Sequence, residues 1–116
     1  MNERLAHDAI HVLSLVGSLR KGSYNRMLVE LAREVAPPHM TIDIHDLDGL
    51  PFYNAEDEDG LAESVTDFHR ALRAADALLI ATPEYNHSVP AVLKNALDWA
   101  SRSLDRGTPP LVGKPT

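Results

Sequence analysis

Residues Ile10 to Val16, IHVLSLV, are mostly apolar and rich in β-branched or branched side chains. A run of this kind reads as a strand buried on both faces, and such strands belong to parallel sheets. A parallel sheet needs a crossover after every strand, and the rest of the chain supplies them. Asn25 to Ala36 sets Met27, Leu28, Leu31 and Val35 at helical spacing with charges opposite. Pro37-Pro38 then stops the helix. Thr41 to Leu47, TIDIHDL, alternates apolar and polar and reads as an edge strand with one wetter face. Leu61 to Ala74 carries Leu61, Val65, Phe68 and Leu72 on one stripe, a second helix. Ala77 to Thr82, ALLIAT, is a short buried strand. Val89 to Ser101 is a third helix, with Pro90 allowed in its first turn and Val92, Leu93, Ala96, Leu97, Trp99 and Ala100 on its apolar side. Strand, helix, strand, helix, strand, helix predicts an α/β chain: a parallel sheet with right-handed crossovers and helices on both faces.

Length and charge narrow the function classes. The 116 residues make one domain, residues 1–116, with the polar stretch 1–8 expected to fray. An apolar content of 44% suits a packed core, and no apolar run is long enough to span a bilayer. There is no cysteine, which removes disulfides, thiolate metal sites and cysteine nucleophiles and suits a cytoplasmic protein. The net charge of −6 argues against nucleic acid as a partner. Against that acidic background three cations gather in one segment, Gly17 to Arg26, GSLRKGSYNR.

In an open parallel sheet, ligands sit beyond the carboxyl ends of the strands. Two loops of this chain occupy that position. The first, GSLRKGSYN, joins the first strand to the first helix. Its backbone N–H groups and the helix N-terminus attract anions. Ser18, Ser23 and Asn25 add neutral donors, and Arg20 adds a forked cation matched to phosphate. An ordinary turn capped by Ser23 or Asn25 accounts equally well for the same residues. A Walker-type loop fails because Gly22 is followed by Ser23-Tyr24, and GxGxxG fails at Leu19. The second loop, Pro83 to Ser88, PEYNHS, follows the third strand. Its backbone amides and carbonyls, the flat face of Tyr85 and the donor–acceptor side chain of Asn86 suit a planar polar heterocycle. Ser88 reads as the N-cap of the third helix, and His87 as a solvated loop histidine. His69 is expected on a helix surface. No histidine pair has zinc spacing, and Val16-Gly17-Ser18-Leu19-Arg20 is not a nucleophile elbow.

Taken together, GSLRKGSYNR and ATPEYNHSVPAVLKNALDW resemble the NADPH-dependent FMN reductase family, a branch of the flavodoxin-like fold that includes chromate, quinone and azo-dye reductases. The resemblance runs over nearly the whole chain. It implies that Ser18, Arg20, Ser23 and Asn25 hold the FMN phosphate with the Leu19 and Tyr24 backbones nearby. It implies that Pro83, Glu84, Tyr85 and Asn86 run along the ribityl chain and ring, with Ser88 at that edge of the pocket. Ala91 stands where the family often has glycine. The resemblance further implies NADPH or NADH as co-substrate, a small acceptor (quinone, chromate, azo compound or free flavin), and a homodimer or homotetramer. No catalytic side chain and no metal is implied, because the flavin carries the redox chemistry while the protein binds and orients it. A flavodoxin-like electron carrier and a cofactor-free binding module are the alternatives.

The last residues, Leu111 to Thr116, depart from the family. Gly113-Lys114-Pro115 there leads into a fourth strand, and a fifth strand and closing helices follow. The expectation is therefore a C-terminally incomplete flavodoxin-like α/β/α sandwich, with strand order 2-1-3 and the third strand left as an apolar edge.

Overall fold

The computed structural model describes residues 9–17, 24–82, 90–104 and 108–116. Its elements are β1 (Ile10–Val16), α1 (Tyr24–Val35), β2 (Met40–His45), a 3-10 turn (Ala55–Asp59), α2 (Glu63–Ala74), β3 (Ala77–Ala81) and α3 (Ala91–Ala100). The three strands form one sheet in the order β2-β1-β3. Both pairings are parallel, with Val12 opposite Ile42 on one side and opposite Ala77 on the other. β1 is thus paired along both edges, and its mostly apolar side chains enter a core on each face of the sheet.

The crossovers dictate the layers. β1 to β2 moves one way across the sheet, and β2 to β3 moves back over β1. Connections of the same hand must then lie on opposite faces. The two cores obey this. Leu13 and Leu15 point into a cluster with Val65, Phe68 and Leu72 of α2 and Leu93, Ala96, Trp99 and Ala100 of α3. Val12 and Val16, on the other face, pack with Val29 of α1 and Ile42 of β2. Ser14 shares that second face and is fully buried, its hydroxyl donating to the Leu79 carbonyl at 3.0 Å. The architecture is the α/β/α sandwich that the alternation of segments predicts, with β2 at the edge and its Thr41 and Asp43 exposed.

Four details differ from the sequence reading. The third helix starts at Ala91 rather than Val89, with Pro90 at the N-cap and no side-chain cap, so Ser88 is not the capping residue. Proline does this because its fixed φ suits the entry and it has no N–H to leave unpaired. His69 is buried, not on the surface: its Nε2 lies 2.7 Å from the Trp99 carbonyl, so that nitrogen carries the proton. Residues Ala55–Asp59, to which the sequence reading assigns no element, form a 3-10 turn capped by the Asn54 side chain, which accepts from the Glu56 N–H at 3.0 Å.

The fourth difference is the rotation of α1. Val29 is buried and Ala32 and Ala36 pack beside it, whereas Met27, Leu28, Leu31 and Val35 are 54–73% exposed. The helix is held from its other flank. Arg33 donates to the Ile42 carbonyl at 2.9 Å, and Arg26 pairs with Asp46 at 2.9 Å. Both anchors lie at β2 or just past it, so the apolar stripe is turned away from the β2 flank and left open. At the free edge of the sheet the Leu78 N–H of β3 donates to the Pro115 carbonyl at 2.9 Å, and Lys114 bonds the Ala75 carbonyl.

Leu72 is fully buried between the sheet and α2–α3. Leu72→Ala is expected to cost about 2–5 kcal/mol through lost transfer energy and a residual cavity. Urea unfolding followed by circular dichroism measures it; a loss below about 1 kcal/mol would mean the α2 face is loosely packed.

Candidate functional site

The carboxyl ends of β1 and β3 meet in register, Val16 opposite Ala81. Just beyond, the Gly17 N–H donates to the Ala81 carbonyl at 2.8 Å. Glycine is required there by space. A Cβ on Gly17 would lie 2.4 Å from Thr82 Oγ1 and 2.8 Å from its Cβ, closer than real atoms pack. Gly17 and Thr82, the residues that precede the two loop motifs in the sequence, therefore touch at one rim of the sheet. The loop residues themselves, including Ser18, Leu19, Arg20, Ser23, Pro83, Glu84, Tyr85, Asn86 and Ser88, lie outside the described residues.

The remaining two candidates lie among the described residues. Tyr24 and Asn25 open α1; the Tyr24 side chain is 82% exposed and Asn25 is half-buried. The first turn of α1 contains no acidic residue, so nothing there opposes an anion at the helix N-terminus. Its cation, Arg26, is tied to Asp46, the residue after β2, and thereby joins the loop after β2 to the first turn of α1.

The loop after β2 is clasped by α3. The Pro51 carbonyl accepts from Asn95 Nδ2 and Trp99 Nε1, each at 2.8 Å. The Tyr53 N–H donates to Asn95 Oδ1 at 2.7 Å, and the Tyr53 ring meets Trp99 edge-on at 4.8 Å. Sequence reasoning assigned Asn95 no part and placed Trp99 on the apolar side of its helix. The available signal was an amide and an indole four apart on a helix, two donors on one face. Beyond the clasp, the Tyr53 hydroxyl donates to Glu58 at 2.5 Å, and Arg102 Nε donates to the same oxygen at 3.0 Å. Donation from Tyr53 holds the Glu58 carboxyl below its usual range, with Arg102 assisting, and the same bond raises the tyrosine hydroxyl.

His45 ends β2 at the rim, its ring 5.1 Å from Phe68. Burial lowers its pKa below 6.5, outweighing the nearby Asp46 and Asp67 charges that favour the cation. Among the described residues no group of three His, Asp or Glu side chains is arranged to hold a metal.

A parallel α/β/α sandwich with strand order 2-1-3 is a flavodoxin-like scaffold. The chain belongs to the NADPH-dependent FMN reductase family, whose profile matches residues 10–116. It is 49% identical over 112 residues to an NAD(P)H-dependent FMN reductase of Pseudomonas aeruginosa, covering 93% of this chain and 57% of the relative. It is 41% identical over 111 residues to a quinone reductase of Escherichia coli, again 93% of this chain and 57% of the relative. Among solved structures, FerB, a flavoenzyme NAD(P)H:(acceptor) oxidoreductase from Paracoccus denitrificans, superposes with a TM-score of 0.84 at 36% identity, over 92% of this chain and 58% of FerB. The chain thus spans a little over half the length of these relatives. No helix among the described residues is long and apolar enough to cross a membrane.

Two expectations test this rim. Gly17→Ala should cost about 1–3 kcal/mol of stability through overpacking against Thr82, and adding Thr82→Gly should recover part of it; an unchanged urea midpoint for Gly17→Ala would refute the close approach. Because burial depresses the His45 pKa, the unfolded chain binds that proton more readily than the folded one. Stability should therefore fall as pH drops through 6.5, and His45→Gln should flatten that part of the profile. Thermal melts between pH 8 and pH 5 read both.

Proposed function

We propose that residues 1–116 form a single flavodoxin-like FMN-binding domain of an NAD(P)H oxidoreductase. Electrons pass from NADPH or NADH, through bound FMN, to a small acceptor: a quinone, chromate, an azo compound or free flavin. The single observation that carries this reading is the meeting of β1 and β3 at Gly17 and Ala81, which starts both loops at one point. The kinship with proteins named FMN reductase and quinone reductase supports the class of reaction.

The residues fit the cofactor. A phosphate dianion needs several converging donors, and hydrogen bonds to a charged group contribute about 1.5–3 kcal/mol each. Ser18, Arg20, Ser23 and Asn25 supply side-chain donors, the Leu19 and Tyr24 backbones lie beside them in sequence, and α1 aligns its peptide dipoles behind them. Pro83, Glu84, Tyr85 and Asn86 would line the ring, with Ser88 at its edge. FMN, when bound, supplies the redox chemistry. The protein's own task is then to bind, orient and exclude water, which requires neither a catalytic side chain nor a metal. We place the protein in the cytoplasm, where a cysteine-free chain is at no disadvantage, and assign it a homodimer or homotetramer.

FMN titration followed by flavin fluorescence should give a saturable yellow complex, and NADPH added under nitrogen should bleach it. Arg20→Ala should weaken FMN binding roughly 10-fold or more. Absence of any FMN complex would overturn the flavin reading. A bound flavin that NADPH leaves yellow would make the protein an electron carrier instead.

A further inference from the structure

The chain has a single tryptophan and three tyrosines. Trp99 is 1% exposed, and Tyr53 meets it edge-on with ring centroids 4.8 Å apart. The clasp on α3 holds that geometry: Asn95 bonds the Pro51 carbonyl and the Tyr53 N–H, and the indole N–H donates to the same Pro51 carbonyl. The two rings differ in what their polar hydrogens face. The indole N–H meets a neutral carbonyl, too weak a base to take a proton, and burial keeps bulk water from the ring. The Tyr53 hydroxyl meets a carboxylate, donating to Glu58 at 2.5 Å, a short charge-assisted bond. Arg102 Nε lies 3.0 Å from the same Glu58 oxygen. Donation from Tyr53, assisted by Arg102, keeps that carboxyl ionised.

We propose that Trp99, Tyr53 and Glu58 form a one-electron relay that carries an oxidising equivalent from the buried core to the surface. A strong one-electron oxidant, of the class of inorganic radicals or photoexcited aromatics, takes an electron from the indole and leaves its radical cation. The indole proton stays in place, because the Pro51 carbonyl does not accept it. Tyr53 then gives one electron to Trp99 and its hydroxyl proton to Glu58. The indole is restored, the phenol becomes a neutral tyrosyl radical, and the carboxylate becomes a carboxylic acid. This step cancels a positive and a negative charge and creates none, which favours it where water is scarce. A thiolate at the surface returns one electron and becomes a thiyl radical, while Glu58 returns the proton to the phenol. Rings in contact pass an electron readily, so the proton governs the rate, and a positioned base accelerates such a transfer by about 10²–10⁴-fold. The start of the relay is sealed in the core, whereas Tyr53 is half-buried and the Glu58 side chain is 22% exposed, within reach of a small reductant. None of the three residues belongs to the set proposed to hold FMN, so the relay stands apart from the flavin reading.

Flash photoionisation of Trp99 tests the relay, using light that the indole absorbs and tyrosine does not, with the ejected electron scavenged. Because the chain has no other tryptophan, the first radical has one origin. In the wild type its transient absorption should decay as a tyrosyl signal rises at the same rate. Tyr53→Phe keeps the ring and loses only the hydroxyl, and should abolish that transfer. Glu58→Gln should slow it about 10-fold or more. Heavy water should also slow it in the wild type, a readout that needs no variant to fold. Tyr24→Phe and Tyr85→Phe should leave it unchanged. An indole radical that persists in the wild type, transfer undiminished in Tyr53→Phe, or a rate indifferent to both Glu58→Gln and heavy water would each overturn the proposal. The measurement needs no flavin. Loss of FMN binding with a working relay refutes the flavin reading alone; FMN binding with a silent relay refutes the relay alone.

Discussion

The whole rim depends on one close approach, that of Gly17 to Thr82. β1 and β3 are parallel neighbours, and their carboxyl ends carry the two loops with binding chemistry. Adjacent strands in a sheet run about 4.8 Å apart, so loops leaving them can share a ligand only if nothing wedges the ends open. A single methyl group at position 17 would be such a wedge, since the space a Cβ needs is already occupied by the Thr82 side chain. The Gly17–Ala81 hydrogen bond then fixes the spacing at the point where both chains depart. Everything proposed about flavin binding follows from this junction.

What keeps the junction rigid is packing rather than charge. The ion pairs among the described residues, such as Arg26–Asp46, Arg70–Asp67 and Lys94–Asp98, are formed by exposed or partly exposed side chains. Pairs of that type contribute about 0–1 kcal/mol each. Phe68 and Trp99 are almost wholly buried, and removing a buried aromatic costs about 3–5 kcal/mol. The core beneath the rim therefore decides whether it holds its shape. Trp99 does more than fill space, because its indole N–H and its carbonyl both reach across elements, to Pro51 and to His69. One residue of α3 thereby ties the loop after β2 to the helix before β3.

Much of this was legible in the chain. The mostly apolar, branched run of β1 read as a strand buried on both faces, and its observed span matches, Ile10–Val16. The polar alternation of Thr41 to Leu47 marked an edge strand, and β2 is one. The two loop motifs predicted a shared rim, which the strand register supports. What stayed hidden was long-range. The clasp of Pro51 and Tyr53 by Asn95 joins residues more than forty positions apart and leaves no local period. His69 sits one residue from Phe68 and three before Leu72, on the margin of the apolar stripe, and only the Trp99 carbonyl decides that it turns inward. The stripe of α1 was visible as apolar, but periodicity gives a helix an apolar side without saying what that side meets. Two arginines settled its direction instead.

Those arginines have a reach beyond their own contacts. A helix is stiff about its long axis, so its angular setting is common to every residue along it. Arg33, bonding the β2 backbone near the far end of α1, and Arg26, bonding Asp46 near the start, jointly fix that setting. Asn25 rides on the same cylinder, and so do the N–H groups of the opening turn. The aim of the helix mouth is accordingly steered from the distant edge of the sheet by two side chains whose anchors all belong to β2 and its exit.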